Sequence, residues 1–253
     1  MSKDERVSGG FRNEVLALKV ASEHNHIVKI LAFDPSNLWI TLRLEPGKSL
    51  DKWRDAESKS TLSTSECAML WKQMSSALAY LHAWNIIHDD VKPDNIMWCR
   101  DAQSGVLIDF GAAIVLPLGS YFNLSGTPNY AAPEYLDRRK SEKSDVWGLG
   151  ITMIFALGYV PLPDGEWILP YALNEEKSGH RKDMLAWLTT VETLRLGLLK
   201  SSPLIAEMLH ASPSRRIDSR RLSLQLEQRQ EHNMEVLAAG QLPRDLVGSD
   251  LAS

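Results

Sequence analysis

Apolar positions recur along this chain with two periods. In residues 11–23 (FRNEVLALKVASE) they fall at Val15, Leu16, Leu18 and Val20, the spacing of a short amphipathic helix. Residues 27–33 and 38–44 are β-rich runs separated by Asp34-Pro35-Ser36-Asn37, a turn cluster, which predicts a hairpin. Ser63 or Ser65 is placed to cap a long helix whose apolar face is Cys67, Leu70, Met74, Leu78 and Leu81. Two short strand-like runs, 95–99 and 105–108, follow on either side of a polar turn. From about residue 141 the pattern is mostly helical, ending in the charged amphipathic segment 219–231. Residues 238–253 are small and polar and read as a loose tail. A few strands followed by many helices predict an α+β fold with a segregated helical part.

One segment departs from amphipathic patterning. Residues 146–163 (VWGLGITMIFALGYVPLP) hold 18 positions without a charge, the lower edge of a membrane span. Two prolines at its end and two glycines near its start shorten the usable helix to about three turns. A helix apolar all round also fits the buried centre of a large domain, and that is the reading adopted here.

Composition narrows the classes. The 253 residues are 44% hydrophobic and 24% charged, which excludes wholesale disorder. A net charge of −4 argues against a protein that coats nucleic acid. Cys67 and Cys99 have no neighbours at metal-ligand spacing, so a reducing, intracellular compartment is expected. The polar start carries no secretory signal pattern.

The densest chemistry is His88-Asp89-Asp90-Val91-Lys92-Pro93-Asp94-Asn95. Phosphoryl transfer to a hydroxyl requires such a set. Asp90 can accept the hydroxyl proton, Lys92 can hold the transferring phosphate, and Asn95 can bind a divalent cation through its side-chain oxygen. A polar loop before a strand produces similar strings. Fourteen residues further on, Asp109-Phe110-Gly111 ends an apolar run, where an Asp can coordinate Mg²⁺ and an ordinary strand exit is the alternative. Then come Gly126-Thr127-Pro128-Asn129-Tyr130-Ala131-Ala132-Pro133-Glu134, Ser144-Asp145-Val146-Trp147-Gly148-Leu149-Gly150 and Pro213-Ser214-Arg215-Arg216-Ile217.

Five motifs in this order resemble the eukaryotic protein kinase family over residues 11–230. The resemblance implies a kinase-like α+β fold, with a small lobe and hinge over residues 1–45, a helical lobe over 46–232 and a flexible tail over 233–253. It implies ATP and Mg²⁺, a protein substrate or partner, no nucleic acid and no membrane insertion. By resemblance, Asp90 and Lys92 are catalytic and Asn95 and Asp109 hold metal. Leu42 gates the nucleotide pocket, Arg43 and Glu45 belong to the adenine-binding hinge, and Met97 forms the pocket floor. Asp145 holds the catalytic loop, Glu134 pairs with Arg216 in a buried structural bridge, and Glu14 is the glutamate of the small-lobe helix. Leu18, Ile30, His88 and Phe110 form a stacked apolar column, and Gly111 completes the metal-site turn. The Asp-x-Lys-Pro-x-Asn form with Thr127 after Gly126 is similar to the serine/threonine branch. The segment from Gly126 to Glu134 is one that aminoglycoside-type small-molecule kinases lack.

Two features depart from the family. No G-x-G-x-x-G precedes Glu14, Gly9-Gly10 lies too close to the helix, and Lys3 is the nearest candidate for the lysine that pairs with that glutamate. The roof of the nucleotide site is therefore expected to be missing, which leaves a binding or scaffold module as the alternative to an enzyme. An apolar patch is then expected on residues 11–20 and the hairpin. Asp89 stands where most members have an arginine that receives an activating phosphate. No Lys or Arg lies between Asp109 and Leu136 to replace it. Ser120, Tyr121, Ser125 and Thr127 are accordingly not expected to form a phosphate-driven on-switch. Trp39, Trp53, Trp71 and Trp98 are expected to pack around the hinge and helical core. Asp51, Asp55 and Glu57 are read as a solvated helix face, Arg138-Arg139-Lys140 as exposed, and His24 and His26 as turn residues.

Overall fold

A computed structural model describes residues 3–116, 122–165, 168–173 and 179–238. The chain opens with helix α1 (Lys3–Ala21), followed by the hairpin β1 (Ile30–Asp34) and β2 (Trp39–Leu42). The Asp34 carboxylate closes the hairpin turn, accepting hydrogen bonds from the Ser36 amide at 2.8 Å and the Asn37 side chain at 2.7 Å. The first strand starts later than the apolar run suggests because residues 26–28 pair elsewhere. Ile27 bridges Leu107 in parallel, and the Val28 amide donates to the Leu107 carbonyl. That pairing ties the hairpin to a second sheet, in which β5 (Ile96–Cys99) lies between β3 (Lys48–Ser49) and β6 (Ser104–Leu107). A third small sheet joins β4 (Ile86–Ile87) to β7 (Ile114–Val115), antiparallel.

Helix α2 (Thr64–Ala83) begins at Ser63, not Ser65. Ser63 forms a capping box with Glu66, the Glu66 carboxylate accepting the Ser63 amide at 2.8 Å. Burial works to raise the Glu66 pKa. Arg100, Ser63 and Trp98 overcome it and bring the group down to about 2, so Glu66 also anchors α2 to β5. Cys67, Leu70, Met74, Leu78 and Leu81 are all buried.

Helix α3 (Glu142–Ala156) is buried on every side from Asp145 to Ala156, packed among α2, α5 (Pro203–Met208) and α6 (Ser219–Ala238). It stops at Ala156, well short of Pro163. Among the described residues no helix is long and apolar enough to cross a membrane. Gly148 permits the closest approach. A Cβ there would meet the Val91 carbonyl at 2.7 Å, so only glycine lets α3 lie directly beneath the loop that follows Asp90. Helix α4 (Gly179–Leu198) packs on α5 and the turn at residues 169–173.

Several expectations are corrected. The helix predicted over residues 11–23 ends at Ala21 and reaches further back, including Gly9 and Gly10, both exposed. Its inner face is covered, with Val15, Ala17, Leu18 and Ala21 buried, so the apolar patch is confined to the hairpin and hinge: Leu31, Leu38, Trp39 and Leu44 are exposed. Trp39 thus does not pack around the hinge, whereas Trp98 is fully buried. Asp51 is buried on a 3-10 turn, residues 50–52, because that turn tucks its carboxylate inward. The segment carrying Asp55 and Glu57 is not helical, and Asp55 caps a turn by accepting the Glu57 and Lys59 amides. Residues 239–253, most of the predicted tail, lie outside the described residues, as do Ser120 and Tyr121.

The base of the helical part is closed by Glu134 and Arg216. Two parallel bonds of 2.8 and 2.9 Å join them, and the Arg216 guanidinium also donates to the carbonyls of His210, Lys143 and Ala211. Both residues are buried. Removing the cation leaves a buried carboxylate and three carbonyls without their donor. Arg216→Met is expected to lower the unfolding free energy by about 3–5 kcal/mol in urea melts, and a loss below about 1 kcal/mol would contradict the arrangement.

Candidate functional site

The loop between β4 and β5 is held from below by one carboxylate. Asp145, in the first turn of α3, accepts the amides of His88 and Asp89, each at 2.8 Å, and lies 2.9 Å from His82 Nε2. Asp89 has φ = +67°, a left-handed conformation that Asp tolerates better than most residues. The kink points Asp89 away from Asp90, so the two neighbouring carboxylates serve different partners.

Asp90 faces upward into a compact polar cluster. Thr127 Oγ1 donates to Asp90 Oδ1 at 2.7 Å and accepts from Lys92 Nζ at 2.6 Å. Lys92 Nζ also lies 2.9 Å from Asp90 Oδ2. The Asn95 side-chain amide donates to the Asp90 carbonyl at 2.8 Å and to Oδ2 at 3.0 Å. This uses the Asn95 NH₂ and leaves its side-chain oxygen without a donor among the described residues. Asp90, Lys92, Asn95 and Thr127 are therefore brought together.

Asp109 adjoins this floor. The Ile108 amide donates to the Asn95 carbonyl at 2.9 Å, and His88 Nε2 lies 3.0 Å from the Ile108 carbonyl. His88 stacks edge-on against Phe110 at 4.8 Å, and both belong with Leu18 to the buried core, with Ile30 packed against it. Asp109 itself has φ = +63°, and its carboxylate accepts the Gly111 amide at 3.2 Å. It lines a cleft of about 320 Å³ with Glu14, Val28, Leu42, Arg43, Glu45, Met97 and Ile108. The nucleotide-pocket positions predicted from sequence thus surround a single cleft. Val28 and Ile108 were missed because both sit inside β-rich runs that look like ordinary core.

Charge in the cleft is unbalanced. Burial, and then the nearby Asp109 carboxylate, raise the pKa of Glu14, and among the described residues no cation is paired with it. Arg43 is engaged with Glu45 through two bonds of 2.8 and 3.0 Å. Lys3 opens α1, on the same helix as Glu14 and not on a strand beside it.

The protein kinase domain family model matches residues 1–226, nearly the whole described chain. The chain belongs to the protein kinase family. It is 28% identical over 219 residues to maternal embryonic leucine zipper kinase of Xenopus tropicalis, covering 83% of this chain and 31% of that protein. With sperm motility kinase 2B of Mus musculus it shares 30% identity over 210 residues, 76% of this chain and 41% of the relative. Serine/threonine-protein kinase ppk6 of Schizosaccharomyces pombe is 30% identical over 173 residues, 64% and 22%. The chain spans less than half the length of each of these relatives. The family model and these relatives place the chain in the serine/threonine branch, and the α+β architecture above is the protein kinase fold with a small first lobe. Kinases of this family use ATP with a divalent cation.

Against that family background, Asp89 has an unexpected partner. The basic run at residues 138–140 is not uniformly exposed. Arg138 and Arg139 are, but Lys140 turns inward, and its ammonium lies 2.7 Å from Asp89 Oδ2 with side-chain exposures of 7% and 3%. The expectation that nothing replaces a cation opposite position 89 held only for residues 109–136. The replacement comes just beyond, and a charge run gives no sign of which member faces in. His82, too, went unrecognised, on the last turn of α2 with only its helical spacing from Leu78 and Leu81 as a signal.

Burial pushes the Asp89 carboxyl up to about 6 against the pull of Lys140. The folded chain holds that proton more tightly than the unfolded chain, where Asp titrates near about 4. Ionising Asp89 therefore costs stability as pH rises through this interval, and the cost is complete above it. The stability difference between Asp89→Asn and wild type should shift by about 2 kcal/mol in favour of the variant between about pH 4.5 and 7.5 in denaturant melts. This shift comes on top of the loss from leaving the Lys140 ammonium buried without its carboxylate. Parallel stability curves for the two proteins would contradict the shift.

Proposed function

We propose that this chain carries the phosphoryl-transfer floor of a serine/threonine protein kinase, with the γ-phosphoryl group of ATP passed to a protein hydroxyl. The observation that supports the reading is the convergence of Asp90, Lys92, Asn95 and Thr127 on one polar cluster, one backbone hydrogen bond away from Asp109 and its cleft. Asp90, with one oxygen hydrogen-bonded by Thr127 and the other by Lys92 and Asn95, is an oriented acceptor for the hydroxyl proton. Lys92 sits beside it as a fixed positive charge for the phosphate in transfer.

The donor set fits a hard divalent cation. The Asn95 side-chain oxygen is free of donors, and the Asp109 carboxylate has no cation partner among the described residues. Both are oxygen ligands suited to Mg²⁺, which when bound would neutralise triphosphate charge. Asn95 and Asp109 would hold that ion. Leu42, Met97, Val28 and Ile108 supply the apolar walls for adenine, with the hinge backbone around Arg43 and Glu45 at its edge. Phe110, Gly111 and His88 shape the turn that carries Asp109. Asp145, Glu134 and Arg216 act further below as supports. A protein substrate and an intracellular setting belong to the same proposal, supported by the family match alone.

A second reading is favoured by one observation: Glu14 shares the cleft with Asp109 and has no ammonium facing it among the described residues. On that reading the chain is a kinase-like binding module that does not transfer phosphate. Thermal unfolding with and without MgATP separates the two. At about 100 times the dissociation constant, bound nucleotide adds about 2.7 kcal/mol. The proposal expects that gain in wild type and in Asp90→Asn, its loss in Asp109→Asn, and phosphate transfer to a serine/threonine peptide in wild type alone. Absence of any shift at millimolar MgATP would contradict the proposal and favour the binding-module reading.

A further inference from the structure

Lys140 is the point where three stretches of chain meet. Its ammonium reaches Asp89 Oδ2 at 2.7 Å, Asn123 Oδ1 at 2.5 Å, and the Ser125 carbonyl and hydroxyl at 2.8 and 3.1 Å. It lies over the rings of Phe122 and Tyr135, each at 5.4 Å. Ser125 Oγ in turn donates to Asp89 Oδ2 and to Asn123 Oδ1. Residues 122–126 belong to no helix or strand, and among the described residues the side-chain hydrogen bonds of Asn123 and Ser125 all end on one another, on Lys140 or on Asp89.

Each end of this network is one or two residues from the catalytic floor. Asp89 precedes Asp90, and Ser125 comes two before Thr127, the residue that donates to Asp90. One buried cation therefore ties the backbone on both sides of the Asp90–Thr127 hydrogen bond. Stability does not account for the arrangement, because a buried ion pair is commonly no more stable than an apolar pair of the same volume. The benefit lies in where it holds the chain.

The geometry points to Lys140 as a positioning residue for Asp90: its ammonium pins residues 122–125 to Asp89 and sets Thr127 on Asp90, so that this segment is ordered without a phosphate. The role in catalysis rests on the phosphoryl-transfer reading, whereas the pinning stands without it. It also follows that negative charge added at Ser125 loosens the segment, since it would face Asp89 at hydrogen-bond distance.

Hydrogen exchange of the full chain, confirmed unphosphorylated by mass, tests the pinning in wild type, Lys140→Met and the double variant Asp89→Asn/Lys140→Met. The double variant leaves no buried charge unpaired, so it folds even if the single one is too unstable to study. The amides of Tyr130 and Ala131, which donate to the Thr127 carbonyl, should be protected in wild type and exchange at least about tenfold faster in both variants, while thermal stability recovers in the double one. Where peptide phosphorylation is measurable, kcat should fall at least about tenfold in the double variant with KM for ATP nearly unchanged. Protection of the Tyr130 and Ala131 amides restored together with stability in the double variant would reduce Lys140 to a structural counter-ion and overturn the proposal. So would protection that arises in wild type only after phosphorylation. If the exchange result holds and wild type shows no MgATP-dependent stabilisation, the pin stands and the transfer reading fails.

Discussion

Two backbone amides of the loop bearing Asp90, those of His88 and Asp89, find no carbonyl partner; they end on the carboxylate of Asp145. A buried carboxylate needs such donors as much as they need it, so loop and helix are mutually required. Asp145 in turn is fixed because α3 is buried on all sides and because Gly148 lets the helix approach Val91 without a side chain between them. The cluster around Asp90 is thus supported by the most deeply buried helix among the described residues. Asp145 itself is satisfied by the two amides and by His82.

From that support the charges divide by direction. The left-handed turn at Asp89 sends one carboxylate sideways to Lys140 and the next upward to Lys92 and Thr127. A second left-handed residue, Asp109, turns a third carboxylate toward the cleft where Glu14 lies. Non-glycine residues in this conformation carry a modest energetic cost; of the seven among the described residues, Asp89 and Asp109 are the two that aim these carboxylates. Below the floor, Glu134 and Arg216 close the helical part with a fully paired ion bridge.

Much of this was legible from the residues. The buried face of α2, the hairpin and the apolar α3 follow from periodicity and turn residues, since each depends on local spacing and burial, whereas the cap of α2 was narrowed only to Ser63 or Ser65. The cluster around Asp90 and the Glu134–Arg216 bridge came from motifs whose spacing resembles a known family. What stayed hidden depends on tertiary direction. Lys140 and Asp51 are charged residues in polar runs, and only the path of the chain decides that each turns inward. The same applies to residues 26–28, which look like the start of a strand in the hairpin yet pair with β6. The longer reach of α1 also escaped notice, because two exposed glycines interrupt its pattern.

On the proposed reading, these pieces form a floor on which a cation-bound triphosphate and a protein hydroxyl meet, with Asp90 and Asp109 on its two sides. A crystal structure of the chain with Mg²⁺ and a non-hydrolysable ATP analogue addresses that claim most directly. The account predicts adenine against Leu42 and Met97, a cation shared by Asn95 and Asp109, and the terminal phosphate turned toward Asp90. Nucleotide seated elsewhere, or phosphates directed away from Asp109 with no cation on Asn95, would contradict it.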